Sequence, residues 1–382
     1  MSTPRPRTSV AAFVQDLNHP RWLLALPNGD VLVAETNAPP RPQHAKGLKG
    51  WVMKLVMKRA GAGVPSANRI TLLRDADGDG VAEVREVFAA GLNSPFGMAL
   101  VAAPEGLRLY VANTDALLEF AYRPGQTKLD APLRTVAALP AGERNHHWTK
   151  SLIASPDGSK LYVGVGSNSN VAENGMPAEE GRAAVWLIDR VSGAARIFAD
   201  GLRNPVGLAW SPSIQAGDSA PRLRAVVNER DELGSDLVPD YLTAVDEGAF
   251  YGWPFSWWGT HRDPRVKAEP PSRPVRVPDY ALGSHVAPLG LGAGRMAGID
   301  GMFVGLHGSW NRRPLSGYKV VFVPFDGGKP QGLPQDVLAG FVDAQGKARG
   351  RPVGVVQDAQ GALLVADDVG NTVWRLLPST KP

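Results

Sequence analysis

Six short polar stretches carry residue types that can do chemistry. In DADGDGVAEVRE, Asp75, Asp77, Asp79, Gly80 and Glu86 fall at positions 1, 3, 5, 6 and 12 of a calcium loop. Carboxylates at alternate positions wrap an oxygen cage, and the glycine permits the sharp bend. The flanks read as strands, so this predicts a calcium-stapled hairpin with a structural role. An acidic, solvated hairpin without an ion has the same spacing. In ERNHHWTKSL, His146 and His147 precede a strand at a loop mouth. An imidazole there can act as a general base, because it titrates near neutrality; a hydrogen-bonded histidine of no catalytic consequence is the alternative. In GLRNPVGLAW, Arg203 and Asn204 can polarise a carbonyl through charge-assisted hydrogen bonds, or simply close a turn before Pro205. Residues 226–254 place acidic groups, which could hold a second calcium, ahead of Tyr251, Trp253, Trp257 and Trp258. Those rings can stack on a planar ring or a sugar face, or pack as an aromatic corner. Arg312 and Arg351 sit in HGSWNRRPLSGYKV and ARGRPVG, where guanidinium groups either clamp carboxylates or stay solvated.

These stretches lie in or just after copies of one repeated phrase. A Gly/Leu-x-x-Pro opening leads to a short apolar run, a turn with glycine, and Leu-Tyr-Val-Ala or a variant. Copies start at Leu17, Gly91, His147, Gly201, His285 and Gly350. Radially repeated β-architecture has this signature, and loops at one end of such a wheel converge on its axis. The segments DVLVAE, LRLYVAN, KLYVGVG, AAVWLIDR, RAVVNE, YKVVFVPF and ALLVADD read as short strands bounded by turn residues. VWLIDRVSGAARIF predicts a hairpin across Ser192-Gly193. Residues 1–12 read as a loose lead-in and 13–378 as one closed all-β unit, with loop insertions at 38–68, 213–222 and 259–284.

Composition narrows the function classes. The chain has 382 residues, with 43 Gly and 33 Pro, as many short strands with many turns require. It lacks cysteine, which removes disulfide, zinc-thiolate and thiol-nucleophile chemistry. The net charge of +4 comes from scattered basic residues, which speaks against nucleic acid and suits an anionic small ligand. No apolar run reaches the length of a membrane-spanning helix. The start, MSTPRPRTSV, lacks an apolar signal region, as expected of a cytoplasmic protein or of a mature form with a new initiator Met.

Taken together, LNHPRWLLALPNGDVLVAET, GLRNPVGLAW, NERDELG…LVPDY, YGWP, HGSWNR and GRPVGV…ADDVGN resemble the sorbosone dehydrogenase family. That family is related to the soluble quinoprotein glucose and aldose sugar dehydrogenases. The resemblance runs from about residue 13 to 377 and is most specific in NERDELG and HGSWNR. It implies a six-bladed β-propeller, pyrroloquinoline quinone (PQQ) with Ca2+ at one face, and oxidation of the anomeric or aldehyde carbon of a sugar. It also implies an external electron acceptor and a periplasmic location. By motif, His147 resembles the catalytic base, with His146 its neighbour. Arg203 and Asn204 match the pair that contacts the reactive quinone carbonyl. Arg230 and Asp231 align with the main-chain carbonyls that hold the active-site calcium, where the glucose enzymes carry Gly-Pro. Arg351 matches one arginine for the quinone carboxylates. The second such position is Val353 here, and Arg312 stands in for a lysine. Asn93 and Asn168 sit near polar cofactor contacts. Two other classes fit a propeller: a lactonase or hydrolase with calcium on the axis, and a non-catalytic binder of protein or glycan.

Overall fold

The structure is a computed structural model that describes residues 9–40, 64–211 and 221–377. Most of the two insertions expected at 38–68 and 213–222, and residues 1–8 of the expected lead-in, lie outside the described residues.

The repeated phrase becomes the innermost strand of each sheet. Six antiparallel sheets follow one another along the chain, as the repeat predicts. Blade 1 comprises Pro20–Ala25, Val31–Glu35, Arg69–Arg74 and Val84–Ala89. Blade 2 comprises Met98–Ala103, Gly106–Ala112, Ala116–Ala121 and Arg134–Ala138. Blade 3 comprises Lys150–Ala154, Lys160–Val165, Ala184–Asp189 and Ala195–Asp200. Its last two strands form the hairpin expected around Ser192-Gly193. Blade 4 comprises Pro205–Trp210, Leu223–Val227, Pro239–Ala244 and Tyr280–Ser284. In blade 5, Pro288–Met296, Ile299–Leu306 and Lys319–Asp326 are followed by short edge strands at Lys329–Pro330 and Gln335–Leu338. Blade 6 comprises Pro352–Gln357, Leu363–Asp367, Thr372–Leu377 and, on its outer edge, Ser9–Val14. The ring therefore closes with a strand from the start of the chain, Ser9 opposite Leu377. Sheet pairing begins at Ser9, within the stretch expected to be a loose lead-in. Among the described residues the one helical element is a short 3-10 turn, Met176–Glu179.

The six innermost strands touch in a closed circle, blade 1 to blade 2 and so on round to blade 6. The glycine of the Pro-x-Gly openings explains how. A Cβ on Gly207 would meet Leu291 Cβ at 2.7 Å, one on Gly290 would meet Val353 O at 2.0 Å, and one on Gly354 would meet Arg21 O at 2.8 Å. Each of these glycines lets the backbone of one inner strand lie against the next. Outside this hub, six apolar clusters fill the gaps between neighbouring sheets. Leu32, Ile70 and Leu72 of blade 1, for example, pack on Leu109, Val111 and Phe120 of blade 2. This alternation of wedge and filling fixes the angular position of every inner strand.

Antiparallel pairing has a direct consequence for function. The start of each inner strand and the end of the strand after it lie at the same end of the hub. Chain entries (His19, His147, Arg203, His285, Arg351) and chain exits (Ser167, Asn228–Asp231, His307, Asp368) are thereby brought to one face.

Candidate functional site

His147 stands at the entry to blade 3, half-buried, with Nδ1 2.8 Å from Ser167 O and 3.1 Å from Ser167 Oγ. Ser167 Oγ spends its own proton on Ser169 O at 2.7 Å. Both groups facing Nδ1 are therefore acceptors, so Nδ1 carries the ring proton and Nε2 carries the lone pair. Burial pushes the pKa of His147 well below its ordinary value, and the His146, Arg203 and Arg182 charges add to this. The imidazole is neutral at physiological pH. Its neighbour His146 meets it edge-on, with ring centroids 4.6 Å apart.

Arg203 enters blade 4 beside it and is 3% exposed. Its N–H groups are all committed. Nε donates to Asn170 O (3.2 Å), Nη1 to Asn228 O (3.3 Å) and Glu229 O (2.7 Å), and Nη2 to Asn170 Oδ1 (3.1 Å) and Asp231 Oδ2 (3.3 Å). Arg203 thus supplies positive potential to the hub and fixes the loops around it. The next residue behaves differently. Asn204 Oδ1 is buried and has no hydrogen-bond partner among the described residues. It lies against Gly166, where an added Cβ would sit 2.3 Å from Asn204 Oδ1 and 2.5 Å from His147 Cβ. Gly166 is the gap that lets the amide and the imidazole approach each other.

Asn170, which carries no recognisable motif, is the keystone of this half. It accepts from Arg203 and from Trp253 Nε1 (2.9 Å), and it brackets Asp231 with two further bonds. The Asp231 carboxylate takes Arg203 on one oxygen and His285 Nδ1 (3.2 Å) and Asn311 Nδ2 (3.0 Å) on the other. Burial would raise its pKa, but the His285 and Arg203 contacts hold it below the ordinary value. The Asp231 contact in turn raises the pKa of His285. Below lie Glu229 and Asp240, both pushed up to about 7 by burial. Glu229 Oε1 and the nearby Tyr241 hydroxyl are buried without partners.

The two carbonyls expected as calcium ligands are not equivalent. Asp231 O accepts from Asn170 Nδ2 at 3.1 Å, whereas Arg230 O has no donor among the described residues. The Arg230 side chain turns away into a buried pair with Asp263 at 2.7 Å. Asp231 O keeps a second lone pair and Arg230 O keeps both, so the two carbonyls still have electron pairs to offer a cation.

On the other half of the hub, Arg351 Nε donates to His307 O (2.9 Å) and Nη2 to Gly308 O (2.6 Å), with the guanidinium 5.2 Å from the Tyr318 ring. Asp368 receives Arg21 Nη1 (2.9 Å) and His307 Nε2 (2.9 Å), with His19 Nε2 at 3.5 Å. Burial drives His307 down to about 3 and also lowers His19, so both are neutral. Val353 is fully buried in the cluster that includes Trp22, Phe96 and Trp148.

Other sequence candidates lie elsewhere. Arg312 is bound to the loop beside Asp231, through Ser235 O (2.9 Å) and Asp236 Oδ1 (3.1 Å). Asn168 holds the 3-10 turn through Ala178 O (3.1 Å) and receives His146 N (3.2 Å). Asn93 donates to Asp115 Oδ2 (2.8 Å) and lines a separate cleft of about 320 Å³ with Thr114, Glu143 and Asn145. Tyr251 is a core residue, its hydroxyl on Ala244 O at 2.5 Å. Trp257 stacks on His261 at 4.6 Å and Trp258 meets Tyr241 edge-on at 6.4 Å, a packed corner.

The rim loop differs from its sequence reading at one position. Asp75, Asp77 and Asp79 converge with Glu83, each offering an oxygen within 4.8 Å of the others. Glu86 lies instead within the outer strand of blade 1, paired with Leu72. The calcium-loop spacing assumes a helix after the loop. Here a strand follows, and its extended backbone carries the twelfth residue past the carboxylates.

Fold and site together define a six-bladed propeller with a cationic hub that gathers residues from every part of the chain. The chain belongs to the TrAA12-like family, whose model matches residues 55–267 and 256–378. A PQQ-dependent pyranose dehydrogenase of Coprinopsis cinerea is 26% identical over 266 residues, 58% of this chain and 35% of that protein. An uncharacterised Borreliella burgdorferi protein is 28% identical over 255 residues, 64% of each chain. Among solved structures, the holo PQQ domain of the Coprinopsis cinerea enzyme superposes with a TM-score of 0.71 at 22% identity, covering 98% of both chains. A calcium structure of a Trichoderma reesei family AA12 enzyme gives 0.74 at 18% identity, covering 97% of this chain and 96% of the other.

Proposed function

We propose that this protein is a quinoprotein dehydrogenase that oxidises a sugar or sugar-derived aldehyde, of aldose or sorbosone type, with PQQ as its cofactor. The observation that carries the reading is the neutral His147, with Nδ1 anchored on Ser167 and its Nε2 lone pair uncommitted, beside the partnerless Asn204 amide and the Arg203 charge. The residues suit a flat polyanion with a ring N–H: guanidinium groups from blades 1, 4 and 6 leave positive potential at the axis, and the orphaned Asn204 Oδ1 is an acceptor for such an N–H.

When bound, the quinone supplies a two-electron acceptor. His147 Nε2 would take the proton of the sugar's anomeric hydroxyl, or of a hydrated aldehyde, as the carbon gives its hydride to that acceptor. Ser167 holds the imidazole in the tautomer that can accept it. Arg203 stabilises negative charge developing at its side of the hub without moving, because the Asn170, Asn228 and Glu229 oxygens already fix it. Asn204 orients the ring through its unused amide, and Arg351 contributes charge for its carboxylates. An external acceptor would then take up the two electrons. Calcium enters this reading at the Asp75–Glu83 loop as a structural staple. No step is routed through a metal at the hub. A periplasmic site of action accompanies the reading, and among the described residues no helix is long and apolar enough to cross a membrane.

Reconstitution with PQQ and calcium, followed by dye reduction across a panel of aldoses and sorbosone, tests the proposal. PQQ-dependent turnover of at least one of them is the expected result. Tight uptake of PQQ without turnover of any would leave a binder, and no uptake would remove the quinoprotein reading.

A further inference from the structure

The hub arginines differ in how many donors they have left. Arg203 has none. Arg351 is bound to two carbonyls of the His307–Gly308 turn and packed on Tyr318. Arg21, from the inner strand of blade 1, spends only Nη1, on Asp368 at 2.9 Å. Its Nε is buried without a partner, and Nη2 makes no hydrogen bond among the described residues. The guanidinium is held in place by two aromatic rings, 6.0 Å from Phe96 and 5.8 Å from Trp148. Trp148 directly follows His147, so Arg21 contacts the residue next to the proposed base.

A nearly buried guanidinium with unspent N–H groups is costly to keep, because each orphaned donor has lost its water without gaining a partner. Asp368 cancels one charge only. His19 and His307 are neutral beside it, and Arg21 Nη1 is paired with Asp368, so the rest of the Arg21 fork faces no carboxylate among the described residues. The position is also informative. The backbone of Arg21 lies against Gly354, next to Val353, where blade 6 offers an apolar side chain in place of a second cation.

We infer that Arg21 is a ligand-binding residue of the hub, whose unspent Nε and Nη2 donors receive a carboxylate of the planar anion bound there. The inference rests on the proposed function and names a residue that the sequence motifs do not. Blade 1 thereby supplies the cation that blade 6 lacks, and the guanidinium fork, fixed by two rings, offers parallel N–H groups that a lysine cannot.

The test is PQQ binding to the apoprotein in calcium buffer without sugar, followed by tryptophan fluorescence and equilibrium dialysis. Arg21→Met should weaken binding at least about tenfold, and Arg21→Lys about threefold or more. The melting temperature without PQQ checks that each variant folds, and Arg21→Lys, which keeps the charge on Asp368, serves if Arg21→Met does not. Affinity within twofold of the parent in a folded variant overturns the inference and means that water alone meets those donors. Unchanged PQQ affinity with a raised KM for sugar also overturns it, by placing the carboxylate on the substrate. No PQQ uptake by the unsubstituted protein overturns the parent proposal and this inference with it.

Discussion

The two halves of the hub are built on opposite principles. Between blades 3 and 4, hydrogen bonding is nearly closed: Arg203 is saturated, Asn170 bridges three partners, and Asp231 is held by a histidine, an arginine and an asparagine. Between blades 6 and 1 it is open: Arg21 Nε, His19 Nε2 and Asp368 Oδ1 are all buried without partners. The first half is a scaffold whose geometry is complete without a ligand. The second is a receptor whose polar groups are satisfied only when something binds. In the closed half, orphaned atoms remain at Asn204, Glu229, Arg230 and Tyr241, around the network and not on Arg203.

This contrast can be broken by substitution, and the largest effect is expected in the closed half. Arg203→Met would strand Asp231 and three backbone carbonyls, so stability should fall by about 3–5 kcal/mol, read from denaturant unfolding. A small loss there would show that the network is not a scaffold. His147→Ala should fold normally and retain PQQ while turnover falls at least about a hundredfold. Near-normal turnover would reject the imidazole as base. Because the pKa of His147 is depressed, turnover in the parent should persist as pH falls below 6.5, and an acid limb centred at or above that value would contradict the neutral, buried ring.

Glu229 and Asp240 give a pH signature of the closed half. Their folded-state pKa values rise from 4.5 and 3.8 to about 7, so they hold protons that the unfolded chain has already lost. Stability should therefore be greatest on the acid side and decline as pH rises from about 4.5 through 7. Glu229→Gln should flatten that decline in melting temperature, and an unchanged pH profile would assign it to other groups. The smallest effect belongs to the rim. Asp77→Asn should lower the melting temperature by a few degrees at most, about 1 kcal/mol, and only when calcium is present. A calcium-independent loss would identify the loop as an ordinary acidic turn.

The wheel was legible because its repeat has a local cause. In blades 4, 5 and 6 Pro starts the inner strand and Gly lets it lie on its neighbour, so Pro205-Val206-Gly207 and Pro352-Val353-Gly354 announce blades from sequence alone. The family reading agrees with the TrAA12-like match. Ring closure was not legible, since nothing near Ser9 signals Leu377 as its partner. Glu83 was missed because the calcium-loop pattern presumes a helical exit. Asn170, Arg21, His285 and Asp368 were missed for another reason. Each lies at a blade opening or exit where the repeat pointed, but its importance comes from which oxygens or rings arrive from other blades. Whether a guanidinium is saturated, as in Arg203, or has donors left, as in Arg21, depends on carbonyls from segments distant in the chain.

Arg21 and Asp368 are separated by 347 positions, yet they form one ion pair across the seam between the first and last blades. During synthesis the arginine emerges long before its carboxylate, so the receptor half of the hub cannot exist until the last blade is made and packed against the first. Assembly of the binding face and sealing of the wheel are thus a single event, and a fragment missing either end would keep most of its blades yet have nowhere to seat a ligand.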